Sequence, residues 1–410
     1  MNLTENLKRY AHLIAHAGCN LQPGQDLLIS ADIDAQELVH DVAKEAYEMG
    51  AREVVVHWND STLSRLRYEY APMEVLETCP EWMALELNSE AERGAAILNI
   101  LSSDPEAMRG IDPKKMIATA VAQNKACRAF RDGMDFGRNV WCIVGASSAK
   151  WAKHVFPDLP EAEAVEKLWE AIFHTVYVDT EDPVAAWEEH RRSFEARSKW
   201  LNDRAFDRLH YQNSLGTDIT LGLPEGHIWG GGGSQTVGGT YFFPNMPTEE
   251  IYTSPDWRRT EGTVVSSKPL NHSGNLIENF SITFHEGEAV SCKAEKGEDL
   301  LKEILGTDEG SKRLGECALV PYASPISESG ILYYNTLYDE NASCHFALGM
   351  GFPEALQGGL EMDKEALKKA GVNDSTQHVD FMLGTSDLSI TGITKDGQEI
   401  PVFRNGNWAF

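Results

Sequence analysis

The spacing of apolar residues divides the chain into two regions that differ in predicted secondary structure. In the first half, stretches such as Leu3–Gly18 and Ala35–Met49 carry apolar residues at a period of three to four positions, which predicts helices. Short, almost continuously apolar segments separate these helices, at 26–30, 53–58, 95–100 and 139–144. Buried strands that alternate with helices are typical of a parallel sheet covered on both faces.

The predicted secondary structure changes near residue 209, where short strands and turns replace the long helices. Alternating segments such as Ile219–Leu223 predict antiparallel strands, and Asp396-Gly397 is typical of a hairpin turn. We therefore predict an α/β N-terminal domain with a mainly parallel sheet and trailing helices over 1–208. An α+β C-terminal domain with a largely antiparallel sheet is predicted over 209–410.

The composition argues against several classes of function. Acidic residues outnumber basic ones, 63 to 36, and the net charge of −27 argues against binding to nucleic acids or acidic membranes. The first residues lack the pattern of a signal peptide, and no apolar run approaches the length of a membrane span. The 7 cysteines are dispersed without C-x-x-C spacing, which predicts reduced thiols. We expect a cytoplasmic protein with no nucleic-acid and no membrane partner.

Two motifs could each bind a ligand, but the residues that usually accompany such a site are absent beside them. The glycine run 230–233 permits a phosphate cradle or a close approach of backbones, and the second is favoured because no lysine and no helix follow. His12 and His16 lie one turn apart on the predicted N-terminal helix, a geometry that can hold a metal ion. No acidic neighbour on that face supports a metal there.

A short alternating stretch near the carboxyl end places two ligand types on one face. In an extended strand His378 and Asp380 point to the same side, while Val379 and Phe381 point to the other. Imidazole and carboxylate groups suit a divalent transition metal. A surface ion pair explains the same pattern, so this motif alone leaves both interpretations open.

Three further candidates lie upstream in the second half. Glu250 stands in a segment with prolines at both ends, where an extended backbone under adjacent carboxylates competes with the first turn of a helix. Glu316 enters an apolar strand, where a carboxylate is costly unless it is exposed or paired. His345 stands among small and polar residues.

These segments together resemble a known family. They are Asn245-x-Pro-Thr-Glu-Glu-Ile-Tyr-Thr-Ser-Pro255, Leu314-Gly-Glu316, Leu337-Tyr-Asp-Glu-Asn-Ala-Ser-Cys-His345 and His378-x-Asp380. They are similar to the dinuclear metallo-aminopeptidases of metallopeptidase family twenty-nine, the aminopeptidase T, aminopeptidase S and PepS group. The resemblance runs along the full chain and includes the N-terminal helix around Tyr10-Ala11.

The resemblance implies a set of metal ligands on the antiparallel sheet. The ligands fall on Glu250, Glu316, His345, His378 and Asp380. Three carboxylates and two imidazoles suit two divalent ions about 3.5–4 Å apart, bridged by Glu316 or Glu250. Zinc, cobalt, manganese and magnesium all remain open as the native metal.

Beside that set, the resemblance leaves the role of Glu249 open between supporting the site and being merely exposed.

The resemblance also implies an activity. It predicts an aminopeptidase that releases N-terminal amino acids from peptides through a water activated by two metals, with Glu316 and Glu250 as catalytic carboxylates. A cavity enclosed within a homodimer is the expected setting. Two alternatives remain: a catalytically impaired peptide- or metal-binding homologue, and a non-peptidase metallohydrolase such as an amidase.

One position departs from the family pattern. The family places a tyrosine seven positions after the histidine that matches His345, whereas this chain has Phe352 there. A phenylalanine cannot stabilise an oxyanion or contact a metal. Tyr252, Tyr334, Tyr338 or a water is expected to take over that role, or the activity is reduced.

Overall fold

The computed structural model describes residues 2–102, 104–272 and 275–410. The chain forms two compact units. The first unit comprises Met1–Arg191 and Gly233–Pro247, and the second unit comprises Arg192–Gly232 and Thr248–Phe410. The predicted domain boundary after residue 208 stays a prediction. Within the described ranges, no helix combines the length and the apolar character that crossing a membrane requires.

The helices concentrate in the first unit. They are α1 (Leu3–Leu13), α2 (Gln36–Glu48), α3 (Ser61–Tyr70), α4 (Met73–Leu76), α5 (Glu81–Glu92), α6 (Pro113–Ala126), α7 (Arg128–Asp135), α8 (Ala149–Val155), α9 (Glu161–Thr175), α10 (Pro183–Arg204), α11 (Glu298–Leu305), α12 (Pro325–Ser329), α13 (Thr336–Asp339) and α14 (Lys364–Ala370). A π-helical turn, Ile14–Gly18, extends α1.

The strands occupy both units. They are β1 (Asp26–Asp32), β2 (Glu53–Asn59), β3 (Ala96–Leu101), β4 (Trp141–Gly145), β5 (Arg208–Gln212), β6 (Asp218–Gly222), β7 (Gly230–Gly231), β8 (Ser234–Gln235), β9 (Tyr241–Phe242), β10 (Asn245–Met246), β11 (Ile251–Thr253), β12 (Thr260–Val265), β13 (Leu270–His272), β14 (Asn275–His285), β15 (Glu288–Lys296), β16 (Leu314–Leu319), β17 (His345–Gly349), β18 (His378–Met382), β19 (Ser389–Ile393), β20 (Glu399–Arg404) and β21 (Asn407–Trp408).

The first unit contains a five-stranded parallel sheet in the order β10-β4-β3-β1-β2. Strands β1 and β3 are buried along most of their length, as strands covered on both faces must be. The predicted parallel sheet is confirmed. Its fifth strand, β10, is only two residues long and comes from far downstream in the chain, so no local pattern indicated it.

The second unit contains two antiparallel sheets, which confirms the predicted α+β character. One sheet, called the site sheet here, has the order β18-β17-β16-β11-β7. The other, called the large sheet, has 9 strands, eight of them in the order β13-β14-β12-β6-β5-β19-β20-β21, with β15 paired to β14.

Aromatic side chains join the two sheets of the second unit. Tyr211 of the large sheet lies 5.1 Å from Phe346 of the site sheet, centroid to centroid, and Phe280 lies 5.7 Å from Phe381. All four rings are buried. One face of the site sheet is therefore a hydrophobic core, which leaves the opposite face for polar side chains.

Candidate metal centre

Three neighbouring strands of the site sheet carry polar side chains on one face. The pairing register places Glu316 of β16 opposite Ala347 of β17, and Ala347 opposite Asp380 of β18. Because residues two positions apart share a face, His345 and His378 join them there. The alternation read in the sequence around His378 therefore reflects a core on one side and this cluster on the other.

A β-bulge beside Glu316 explains the glycine before it. The register between β16 and β17 shifts between Leu314 and Glu316. A Cβ atom at Gly315 would lie 2.2 Å from the carbonyl oxygen of Met350, so only glycine permits this approach. The glycine of the Leu314-Gly315-Glu316 motif is thus explained by steric contact with a neighbouring backbone.

The segment before β11 brings a further carboxylate to the cluster. Residues 248–250 are not helical and lead into β11, which pairs with β16, so the alternative of a helical first turn is wrong. Glu250 lies at the start of this pairing. Glu249 is buried at 5% exposure, and its backbone N–H donates to Asn341 Oδ1 at 2.8 Å.

Both histidines present the same ring nitrogen to the carboxylates. His345 Nε2 lies 3.2 Å from Glu250, and His378 Nε2 lies 3.0 Å from Glu316 and 3.1 Å from Asp380. These separations are close to those between ligand atoms around one ion with bonds of about 2.0–2.2 Å.

Backbone carbonyls hold the other nitrogen of each ring. Because a carbonyl only accepts, His345 Nδ1–H donates to Ser343 at 3.1 Å and His378 Nδ1–H donates to Met350 at 2.8 Å. This arrangement fixes the ring orientation and leaves Nε2 available as a ligand, as in many metal sites.

The ligand atoms form two groups of three that share one residue. Glu250, Glu316 and His345 make one group, and Glu316, His378 and Asp380 make the other, with the ligand atoms of each group within 4.8 Å of one another. Carboxylate oxygens and imidazole nitrogens are donors that zinc and similar divalent ions accept. These residues fit a centre in which Glu316 is common to two positions, although their role as ligands stays a prediction.

Burial and mutual repulsion shift the ionisation of the acids in this cluster. Burial raises the pKa of Glu316 to about 7, with the charges of Glu250 and Asp380 acting in the same direction against the hydrogen bond from His378. For Asp380 the effect of burial is outweighed by the hydrogen bond and charge of His378, which lower its pKa.

The histidines respond to the same charges in the opposite sense. Burial lowers the pKa of His345, but Glu250 outweighs it and raises the pKa to about 10. In His378 burial is likewise outweighed by Asp380 and Glu316, which raise the pKa to about 11. The cluster therefore favours any positive charge brought into it, whether a proton or a metal ion.

Glu340 belongs to this cluster and was missed from the sequence. Burial, followed by the charges of Glu250 and Asp380, raises its pKa well above the ordinary value. The residue stands in the segment that the sequence singled out for His345, but the turn of 3₁₀ helix over Glu340–Ala342 has no sequence signal that points its carboxylate at the site.

The phenylalanine that replaces the family tyrosine packs against a candidate ligand. The ring of Phe352 lies 4.9 Å from that of His378 and 5.6 Å from that of Tyr252, centroid to centroid. Burial and then the charges of Glu354, Glu316 and Glu250 raise the pKa of Tyr252 well above its usual value. Tyr252 is thus a protonated phenol beside the cluster.

The other two tyrosines that the sequence offered as substitutes, Tyr338 and Tyr334, have surroundings different from those of Tyr252. Tyr338 is fully buried, and its ring stacks on that of Tyr333 at 4.6 Å. Tyr334 is half-buried, with a left-handed φ of 55° in the segment that leads into α13.

Comparison with known proteins gives a consistent result over the full chain. The family model described as thermophilic metalloprotease (M29) matches residues 3–408. Aminopeptidase AmpS of Bacillus subtilis is 47% identical over 409 residues, which is 100% of both chains, and aminopeptidase 2 of Geobacillus stearothermophilus is 43% identical over 406 residues, 99% of this chain and 98% of its own. The solved structure of wild-type AmpT from Thermus thermophilus has a TM-score of 0.92 at 40% identity and covers 99% of each chain. The chain therefore belongs to the M29 family of metalloproteases.

Proposed function

We propose that this protein is a metal-dependent aminopeptidase that releases the N-terminal residue of peptides. The observation that carries the proposal is the pair of three-ligand groups that share Glu316, on the polar face of the site sheet. The names of the relatives, all aminopeptidases, support the same activity.

We further propose two divalent ions per chain, held by Glu250, Glu316, His345, His378 and Asp380, with Glu316 as the bridge. When bound, such ions supply an activated water and polarise the scissile carbonyl. Zinc and cobalt suit the two imidazoles, and manganese or magnesium would rely more on the carboxylates. Metal analysis of the purified protein tests both the number and the identity.

The residues of the chain handle the proton and the substrate. Glu340 stands outside both three-ligand groups and interacts with the charges of Glu250 and Asp380. We propose that its carboxylate accepts a proton from the attacking water and returns it to the leaving amine. The carboxylates of the cluster attract the free α-ammonium of a peptide, and we propose Glu249, the neighbour of Glu250, as a further contact for it. This attraction restricts cleavage to the first peptide bond.

Aminoacyl chromogenic substrates test the proposal. Activity is expected to disappear on chelation, to return with zinc or cobalt, and to fall by at least about 10³-fold in Glu316→Gln. Glu288→Gln, an acid with a 45% exposed side chain that faces Lys312, serves as the matched control and should retain full activity. Undiminished turnover after chelation or in Glu316→Gln would contradict the proposal.

The same assay separates the alternatives named from the sequence. An aminopeptidase needs a free amino group, so an N-acetylated substrate should not react. An amidase would cleave both substrates, and an impaired homologue would bind peptides without turnover.

We also propose a homodimer and a cytoplasmic location. Helices of the first unit expose large apolar side chains, which favour burial against a second copy: Leu63, Tyr70, Trp82, Leu85, Ile117 and Val121. The 7 cysteines are free thiols, as is usual in a reducing compartment. Light scattering measures the mass, and Leu85→Lys should shift it toward the monomer.

A further inference from the structure

The first unit contains its own group of metal-ligating side chains. His12 of α1, His16 of the π-helical turn and Glu45 of α2 each offer one ligand atom, and these atoms lie within 4.8 Å of one another. From the sequence alone, the two histidines had no acidic neighbour on their face of the N-terminal helix. The packing of α2 against α1 supplies the missing carboxylate.

The distances in this group suit a single ion. Glu45 Oε2 lies 3.0 Å from His12 Nδ1 and 3.8 Å from His16 Nε2. A tetrahedral ion with bonds of about 2.0–2.2 Å needs ligand atoms roughly 3.3–3.6 Å apart, which is between the two observed values. Small rotations of the side chains would therefore complete the geometry.

The local backbone brings the two imidazoles together. The π-helical turn Ile14–Gly18 widens the end of the helix, and the ring centroids of His12 and His16 lie only 4.0 Å apart with a 37° tilt. Such turns are rare in helices and occur frequently at functional sites. Two imidazoles share one carboxylate here, so an ion pair with Glu45 can neutralise only one of them.

The surroundings of the group leave room for further ligands of an ion. A cavity of about 650 Å³ borders His12 and Glu45, and it is lined also by Lys8, Arg9, Glu181 and Asp182. Water has access to the remaining coordination positions.

We propose that His12, His16 and Glu45 bind one divalent transition-metal ion such as zinc, separate from the metals of the peptidase centre. The ion joins α1 to α2 and stabilises the first unit. It does not hydrolyse peptides, because Leu13 occupies the place where a helix of the H-E-x-x-H type carries its general base.

Equilibrium dialysis against a fixed micromolar concentration of free Zn²⁺, followed by metal analysis, tests the site. His16→Gln and Glu45→Gln are expected to hold one Zn²⁺ fewer per chain than the wild type. His40→Gln is the matched control, because His40 is an exposed histidine on α2 outside the group, and it should bind as the wild type does.

Thermal unfolding supplies a readout that is independent of activity. Added Zn²⁺ should raise the unfolding temperature of the wild type and of His40→Gln further than that of His16→Gln or Glu45→Gln. Equal stoichiometry in all four proteins would overturn the proposal, as would an equal loss in His40→Gln, which would indicate unspecific binding to surface histidines. Either result leaves the proposed peptidase centre unaffected.

Discussion

Phe352 stands where the resemblance predicts a tyrosine, and its contacts bear on which side chain can serve the proposed reaction. The backbone N–H of Phe352 donates to Ser254 Oγ at 2.9 Å, and its ring packs on His378, so the residue helps to orient that imidazole. The ring of Tyr252 contacts that of Phe352. We propose that the Tyr252 hydroxyl takes the part that the resemblance gives to the tyrosine.

Tyr252→Phe is expected to lower kcat by about 10²-fold with little change in KM, because a hydrogen-bond donor to the developing oxyanion acts mainly in the transition state. Steady-state kinetics with an aminoacyl anilide measures the effect. Tyr322→Phe, at a tyrosine with 41% exposure, is the control. Adding Phe352→Tyr to Tyr252→Phe should restore activity, and unchanged kcat in Tyr252→Phe would exclude this role for the phenol.

Two short strands position the segment that carries Glu250. Strand β7 pairs with β11 through Gly231 and Ile251. Gly231 has a φ of 140°, and a Cβ atom there would lie 2.2 Å from the carbonyl oxygen of Glu250. This close approach is the physical reason for at least one glycine of the run 230–233.

Gly231→Ala is expected to destabilise the protein by about 1–3 kcal/mol through backbone strain. The displaced Glu250 segment should also lower kcat/KM by about 10²-fold, since small errors in position are costly in an active site. The neighbouring Gly230→Ala is an ideal control, because a Cβ there meets nothing within 4 Å. Similar behaviour of both variants would argue against the proposed contact. Thermal unfolding and anilide hydrolysis report the two effects.

A group of hydrogen bonds to Asp308 holds the segment just before β18. The carboxylate of Asp308 accepts hydrogen bonds from Ser311, Ser375 and Thr376, including the backbone N–H of Thr376 at 2.7 Å. These hydrogen bonds outweigh the effect of burial and lower the pKa of Asp308. Because Thr376 stands two residues before His378, we expect Asp308 to hold the backbone that carries that imidazole.

Asp308→Ala should cost roughly 3 kcal/mol of stability at neutral pH and weaken metal binding by about 10-fold. Because the pKa of Asp308 is depressed in the folded state, its contribution is complete above its ordinary pKa of 3.8 and is lost as the pH falls toward the folded value. The difference in unfolding temperature between wild type and variant should thus narrow below about pH 4. Asp374→Ala, which removes only an exposed pair with Lys364, is the control, and an equal loss there would contradict the assignment.

The second unit concentrates negative charge in its interior. Glu250, Glu316, Glu340 and Asp380 share one site in a chain that already carries a net charge of −27. Burial and then the neighbouring carboxylates raise the pKa of Glu316, and the carboxylates raise the pKa values of both histidines against the effect of burial. In the absence of metal, protons therefore supply the compensating charge.

Chelated protein is expected to lose stability as the pH rises from about 5 to 10. Glu316 has a folded pKa of about 7 against 4.5 when unperturbed, and His345 has about 10 against 6.5, so the folded state holds more protons over this range. The metal-loaded protein should not share this decline, because metal binding strengthens as its ligands deprotonate. Thermal unfolding measured across pH with and without chelator checks the opposite trends, and parallel curves would contradict them.

Much of this organisation follows from local pattern. The apolar segments at 26–30, 53–58, 95–100 and 139–144 predicted the parallel strands, and alternation around His378 predicted the two faces of β18. Both predictions depend on how apolar and polar side chains follow one another along a strand, which can be read from neighbouring residues. The family resemblance rests on short motifs of the same kind.

The remainder depends on residues that are distant in the chain. Three-dimensional packing alone decided that β10 joins the sheet of the first unit, that Glu340 faces the carboxylates, and that Glu45 meets His12 and His16. Most elements, the family resemblance and the candidate ligands could be predicted from the sequence, because they lie in local periodicity and motif. Which charges meet depends on the fold, because desolvation and Coulomb interactions depend on distance in space rather than on separation along the chain.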